Sequence, residues 1–89
     1  MAKARRTFEW DAENIGHIAR HEVTPAEAEY VVLGRRSDLR RSDASTYPIT
    51  FGPTGTGKYL AVVWSAVGDD PEIIRVITAY PVPRPRRRR

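Results

Sequence analysis

The sequence predicts an α+β fold in which a short N-terminal strand and two helices precede a small antiparallel sheet, with both helices packed on one sheet face. Three observations predict it. Apolar residues recur at helical spacing between Asp11 and Gly34, and they alternate at strand spacing between Tyr47 and Tyr80. After Tyr80 the chain turns into PVPRPRRRR, which can continue neither pattern. An 89-residue chain makes one domain, burying about 60–65% of its unfolded surface, so its core is thin. Residues 1–80 are assigned to that domain and residues 81–89 to an extended basic proline-arginine arm.

In RTFEW, Phe8 and Trp10 alternate as in a strand, and Asp11 is placed to cap a helix. DAENIGHIARHEV sets Ile15, Ile18 and Ala19 on one helical face and leaves Glu13, His17 and His21 on a polar stripe. Gly16 weakens this helix by about 1 kcal/mol relative to alanine. The second helix carries fuller signals: Thr24 as N-cap, Pro25 at its first position, Glu27 closing a capping box, and Ala28, Val31 and Val32 as the buried stripe. Gly34 is its natural stop. The charged stretch RRSDLRRSDAST, residues 35–46, is expected to be a mobile loop. Strands follow at about Tyr47–Phe51, Lys58–Ala66 and Glu72–Tyr80, with VGDDP as a turn.

GPTGTGKY, residues 52–59, matches the spacing of a phosphate-binding loop at Gly52, Gly57 and Lys58. Tyr59 then stands where a magnesium-binding hydroxyl belongs, and YLAVVWSA reads as a strand, whereas a phosphate loop must open a helix. The stretch is therefore expected to be a hairpin turn, with Gly55 and Gly57 supplying positive φ.

Alternation divides the sheet faces. Leu60, Val62, Trp64, Ile74 and Val76 are assigned to the helix side, because the face that holds Arg75 would otherwise bury an unpaired guanidinium. Arg75, Ile77 and Ala79 then share the uncovered face with Tyr59, Ala61, Val63 and Ser65. Trp10 and Trp64 are read as core, each with an indole N–H to satisfy.

The absence of cysteine excludes disulfides, thiolate catalysis and cysteine zinc sites. No apolar run approaches the roughly 18 residues of a membrane span, and Met1–Arg6 lacks the apolar segment of a signal peptide, so a soluble, cytoplasmic protein is expected. The net charge of +4 is uneven: residues 1–80 carry ten basic and eleven acidic residues, and the tail adds Arg84 and Arg86–Arg89. With Arg35, Arg36, Arg40 and Arg41 in the loop, these clusters attract polyanions, nucleic acid foremost.

The layout, together with FEWDAENIGHIARHEVTPAEAEYVV, ITFG, YLAVVW and RVITAY, resembles the BrnT family of type II toxins, small ribonucleases with a RelE-like fold. The likeness covers most of the chain and rests on the order and spacing of these pieces. It implies a metal-independent endoribonuclease, with the ribose 2′-OH as nucleophile and no cofactor. It also implies a BrnA-like ribbon-helix-helix antitoxin as partner, through which alone operator DNA is contacted, and no membrane association. Arg75 aligns with the first arginine of the family's last-strand pattern and is the expected phosphate clamp. Tyr80 stands where that pattern has its second arginine, Glu22 where the family has glycine, and the proline-arginine arm where the family has a helical segment.

Catalytic candidates are thus Arg75, Tyr80 and Lys58, and nucleic-acid-binding candidates are Arg84, Arg86, Arg87, Arg88, Arg35 and Arg36. Each has a plainer alternative. Lys58 either holds phosphate or is a solvated strand-end lysine; Tyr80 either supplies a proton or a stacking ring, or lids the core. Thr78 and Tyr80 can join Arg75 on one face only if a bulge interrupts the last strand. Glu9 and Asp11 can supply a carboxylate base, although Asp11 also reads as a cap. His17 and His21 suit proton transfer by residue type, but they are expected on the helix layer, remote from Arg75, with His21 near the helix end or against Trp10. Glu13, His17 and His21 share the spacing of a zinc site as well as that of a solvated face. Two non-catalytic readings remain: an antitoxin- or nucleic-acid-binding module, and a dimer whose uncovered sheet face is an interface.

Overall fold

The computed structural model describes residues 5–34, 37–40, 47–69 and 71–85. In chain order the elements are β1 (Arg6–Glu9), α1 (Ala12–Ala19), α2 (Pro25–Leu33), β2 (Asp38–Arg40), β3 (Ile49–Pro53), β4 (Tyr59–Val67) and β5 (Glu72–Pro81). They form a small α+β structure with one five-stranded sheet, in the order β1-β5-β4-β3-β2. The sheet is mixed, not wholly antiparallel: β1 runs parallel to β5, with Phe8 opposite Ile74 and Glu9 opposite Arg75. Part of the expected loop is also a strand, since Asp38–Arg40 pairs with Ile49–Phe51. The outer edge of β3 offers unpaired backbone groups, and a short edge strand satisfies them.

Both helices begin as their sequences dictate. The Asp11 carboxylate accepts from the Glu13 and Asn14 amides, while Asn14 answers with its side-chain oxygen on the Asp11 amide. Thr24 and Glu27 repeat the arrangement at α2. Gly34 caps α2 with extended backbone, so positive φ is not what it provides there. A Cβ at that position would come within 2.9 Å of the Tyr30 carbonyl.

The core lies between the helices and one sheet face: Ile18, Val23, Ala28, Val31 and Val32 meet Leu60, Val62, Trp64, Ile74, Val76 and Ala79. The face assignment for Leu60, Val62, Trp64, Ile74 and Val76 holds. The stripe on α1 differs, because Ile15 is 40% exposed and Ala19 is exposed, while Asn14 and Ile18 are the buried pair. Asn14 can be buried because its amide nitrogen donates to the Glu9 and Val76 carbonyls, at 3.0 and 3.2 Å, stitching α1 to the end of β1 and to β5 beyond it. Both indoles are satisfied, Trp64 by the buried Thr50 hydroxyl at 2.9 Å and Trp10 by Glu29 at 2.7 Å.

A bulge interrupts the β4–β5 ladder. Val63 faces Thr78 but Trp64 faces Val76, so Ile77 is an extra residue without a partner. The extra residue inverts the alternation beyond it. Ala79 therefore lies in the core instead of beside Arg75, while Thr78 and Tyr80 turn to the face that Arg75 occupies. β5 continues to Pro81, one residue into the expected arm, and the Val82 amide still donates to the Tyr59 carbonyl at 2.9 Å. Among the described residues, no helix is long and apolar enough to cross a membrane.

Candidate active site

Arg75 lies on the sheet face that the helices leave uncovered, opposite Ser65 on one side and Glu9 on the other. β1 ends at Glu9, and the chain turns there into the Asp11 cap, which brings the first turn of α1 beside the guanidinium. Three carboxylates meet it: Asp11 at 2.8 Å, Glu13 at 3.2 Å and Glu9 at 3.6 Å. The hydrogen bond from Arg75 holds the Asp11 carboxyl below its usual range, helped by the Asn14 amide, and Asp11 in return raises the guanidinium above its own. All three acids are at least half exposed, so solvent screens these pairs and they exchange readily. Taken with its acids, the cluster carries a net charge of about −2, which opposes an approaching phosphate.

Beside this cluster, between α1 and the stretch of β5 that β1 leaves unpaired, a shallow cavity of about 190 Å³ is lined by Glu13, Asn14, His17, Arg75, Val76 and Ile77. A carboxylate, an imidazole and a guanidinium thus border one space. His17 is in this position because it follows Glu13 by one helical turn on the same side of α1. The expectation that His17 lies remote from Arg75 is corrected: α1 lies along the open edge of β5, which brings its polar stripe to the arginine. One turn later His21 meets Tyr80 edge-on, with ring centroids 6.0 Å apart, and not Trp10. The groove between α1 and β5 thus holds His17 beside Arg75, and the His21–Tyr80 contact lies farther along the same helix and strand.

The three catalytic candidates do not converge. Arg75 and Tyr80 share a face through the bulge, but their partners Ser65 and Ala61 are four residues apart on β4, about 13 Å along a strand. Lys58 is farther still, seven residues from Ser65 or about 23 Å. Its amine bonds to the Glu22 carbonyl and to the Glu27 carboxylate, 3.2 Å away, which ties the β3–β4 hairpin to the start of α2. Neither alternative held for it on sequence describes this fully: it is a partly exposed lysine with two fixed partners.

The same hairpin settles the glycine-rich stretch. Gly55 and Gly57 take φ of +82° and +101°, and the Thr54 hydroxyl accepts from the Thr56 and Lys58 amides. The inward-pointing amides that a phosphate would use are thus satisfied by the turn's own threonine. Glu27 receives the Thr56 hydroxyl at 2.8 Å as well as Lys58. Burial pushes the Glu27 carboxyl up, but the Thr24 amide, Thr56 and Lys58 together outweigh it and leave the group below its ordinary value.

Of the basic candidates for nucleic acid, Arg84 lies over the Tyr59 ring, 5.9 Å from its centroid. Arg35, Arg36, Arg86, Arg87 and Arg88 lie outside the described residues. Glu22, standing where the resembled family has glycine, takes a φ of +61°, a left-handed conformation that glycine adopts at least cost. Sequence reasoning missed Asn14, whose capping-box spacing after Asp11 was visible, and gave no weight to Glu13 and His17 as partners of Arg75. No protein-family model matches the chain, and no curated protein is similar enough to count as a relative.

Proposed function

We propose that the chain is a RelE-like, BrnT-type toxin, a cytoplasmic metal-independent endoribonuclease restrained by a BrnA-like ribbon-helix-helix antitoxin that alone contacts operator DNA. The observation that carries this reading is the cavity where Glu13, His17 and Arg75 meet, because cleavage through the ribose 2′-OH needs three services. A base accepts the 2′-OH proton, a cation neutralises charge growing on the phosphate, and an acid protonates the departing oxygen. In this scheme Glu13 accepts the proton as the 2′ oxygen attacks phosphorus. Arg75 exchanges its solvent-screened carboxylate partners for the phosphate oxygens. His17 gives a ring proton to the 5′ oxygen as the P–O5′ bond breaks, leaving a 2′,3′-cyclic phosphate and a 5′-hydroxyl. Asp11 is a positioning residue that caps α1 and steers the guanidinium.

Inducing the chain alone in bacteria tests the reading. Arrested growth is expected, relieved by Arg75→Ala in a protein that still folds and by co-expression of the partner. Unimpeded growth with folded wild-type chain contradicts it.

One observation favours a non-catalytic binding module instead. The acids around Arg75 outnumber it three to one, and a cluster of that sign suits a basic protein surface better than a phosphate. Under that reading Glu9→Gln lowers affinity for the antitoxin, and the folded wild-type chain leaves RNA intact.

A further inference from the structure

We propose that the uncovered sheet face carries a second site, a base-binding subsite for single-stranded RNA, at the end remote from Arg75. A cavity of about 290 Å³ there is lined by Arg40, Phe51, Tyr59, Val82, Pro83 and Pro85. Strand registers place its parts on one face. Arg40 pairs with Ile49, Phe51 lies opposite Ala61, and Tyr59 precedes the buried Leu60, so all three side chains point away from the helices. The chain after β5 closes the cavity, because the Val82 amide still bonds to Tyr59 and the two prolines fix the backbone beyond it.

The chemistry selects the occupant. Two aromatic rings and three apolar side chains make walls for a flat, weakly polar group, and the volume is at the lower end of the roughly 300–1,000 Å³ of small-ligand sites. That suits one base better than a helix or a folded partner. Guanidinium groups at the rim add the other half of a nucleotide's requirements: Arg84 lies over the Tyr59 ring, and arginine both stacks on bases and binds phosphate. Charge complementarity points the same way. Pro85 leads in sequence directly into Arg86–Arg89, and Arg40 has Arg35, Arg36 and Arg41 close by in sequence, whereas Arg75 is surrounded by acids. Anchoring by counterion release therefore belongs at this end. Tyr59 and Ser65, the partner of Arg75, are six residues apart on β4, so subsite and groove are about 20 Å apart, a span of several nucleotides. The proposal rests on the ribonuclease reading for the choice of RNA and for the link to the groove, but the binding itself does not require cleavage.

Titration with a short fluorescent 2′-O-methyl oligoribonucleotide, which binds but offers no 2′-OH to attack, separates the two. A strand of equal length with abasic positions is the control. Tyr59→Leu is expected to weaken binding of the normal strand about tenfold, to leave the abasic strand unaffected, and to leave the salt dependence unchanged. Tyr59→Phe keeps the ring and binds as wild type. Arg84→Gln weakens both strands and lowers the slope of log affinity against log salt by about 0.7. Binding of the normal strand that is unchanged in Tyr59→Leu, equal affinity for both strands, or no binding by folded wild type overturns the proposal. Tight, ring-dependent binding by a chain that leaves unmodified RNA of the same sequence intact sustains the subsite and removes the nuclease reading.

Discussion

Asn14 shows how a single side chain sets the geometry of the groove. Its amide reaches the Glu9 and Val76 carbonyls, and its oxygen takes the Asp11 amide, so it fixes α1 against the strand that bears Arg75. Asn14→Ala removes one buried and two partly buried hydrogen bonds and is expected to cost about 2 kcal/mol in a denaturant titration. Glu27 holds the other end of the helix layer, and its truncation to alanine is expected to cost about 1–2 kcal/mol through the lost cap and hydrogen bonds. Its carboxyl is held below the ordinary value in the folded state, so its contribution is fully present above the unfolded value of about 4.3. That contribution disappears as pH falls through the lower folded value. Asp11, lowered by Arg75, behaves with the same sign. Stability followed from pH 7 to pH 3 should therefore fall below about pH 4.3, with a shallower fall in Glu27→Gln. An equal acid dependence in that variant contradicts the assignment.

At the scale of elements, α1 is the weak part. It has eight residues, buries only Asn14 and Ile18, and contains Gly16 beside open space. Gly16→Ala is expected to stabilise by up to about 1 kcal/mol, since the added methyl meets nothing within 4 Å. Glu22→Gly, which relieves the left-handed residue after α1, is expected to add about 0.5–1 kcal/mol, read as a rise in melting temperature. The caps at Asp11 and Thr24 were legible because capping residues act within one turn, and the β4 face was legible because alternation is local. The bulge at Ile77 was not legible, since an extra residue leaves no mark in a run of β-branched residues. Two results follow from it: Ala79 is in the core, and Tyr80 shares the face of Arg75. The parallel partner of β1 and the strand at Asp38–Arg40 were likewise set by edges that needed covering, a property of the assembled sheet. The His17–Arg75 cavity was hidden for the same reason, because it exists only where β1 stops short of the end of β5.

For the molecule as a whole, the sheet has two unlike ends. One gathers acids around Arg75 beside the α1–β5 groove, and the other sets Arg40 and Arg84 around aromatic rings. Under the proposed ribonuclease reading, a polyanion held at the basic end and cut at the acidic one meets repulsion where it reacts, so thinning the acids should help it. Glu9→Gln removes one charge without touching the α1 cap and is expected to lower KM for RNA roughly three- to fivefold with kcat little changed. Fold class was visible in composition and periodicity, whereas this polarity was not, because it arises from residues far apart in the sequence, such as Asp11 and Arg75, 64 positions apart. The central claim concerns what the groove does to a phosphodiester, and end-group analysis of RNA incubated with purified chain tests it most directly. The account predicts fragments with 2′,3′-cyclic phosphate and 5′-hydroxyl ends, formed about 100–1,000-fold more slowly by Arg75→Ala and at the wild-type rate by Lys58→Ala. Intact RNA with folded wild type, or equal cleavage by Arg75→Ala, contradicts it.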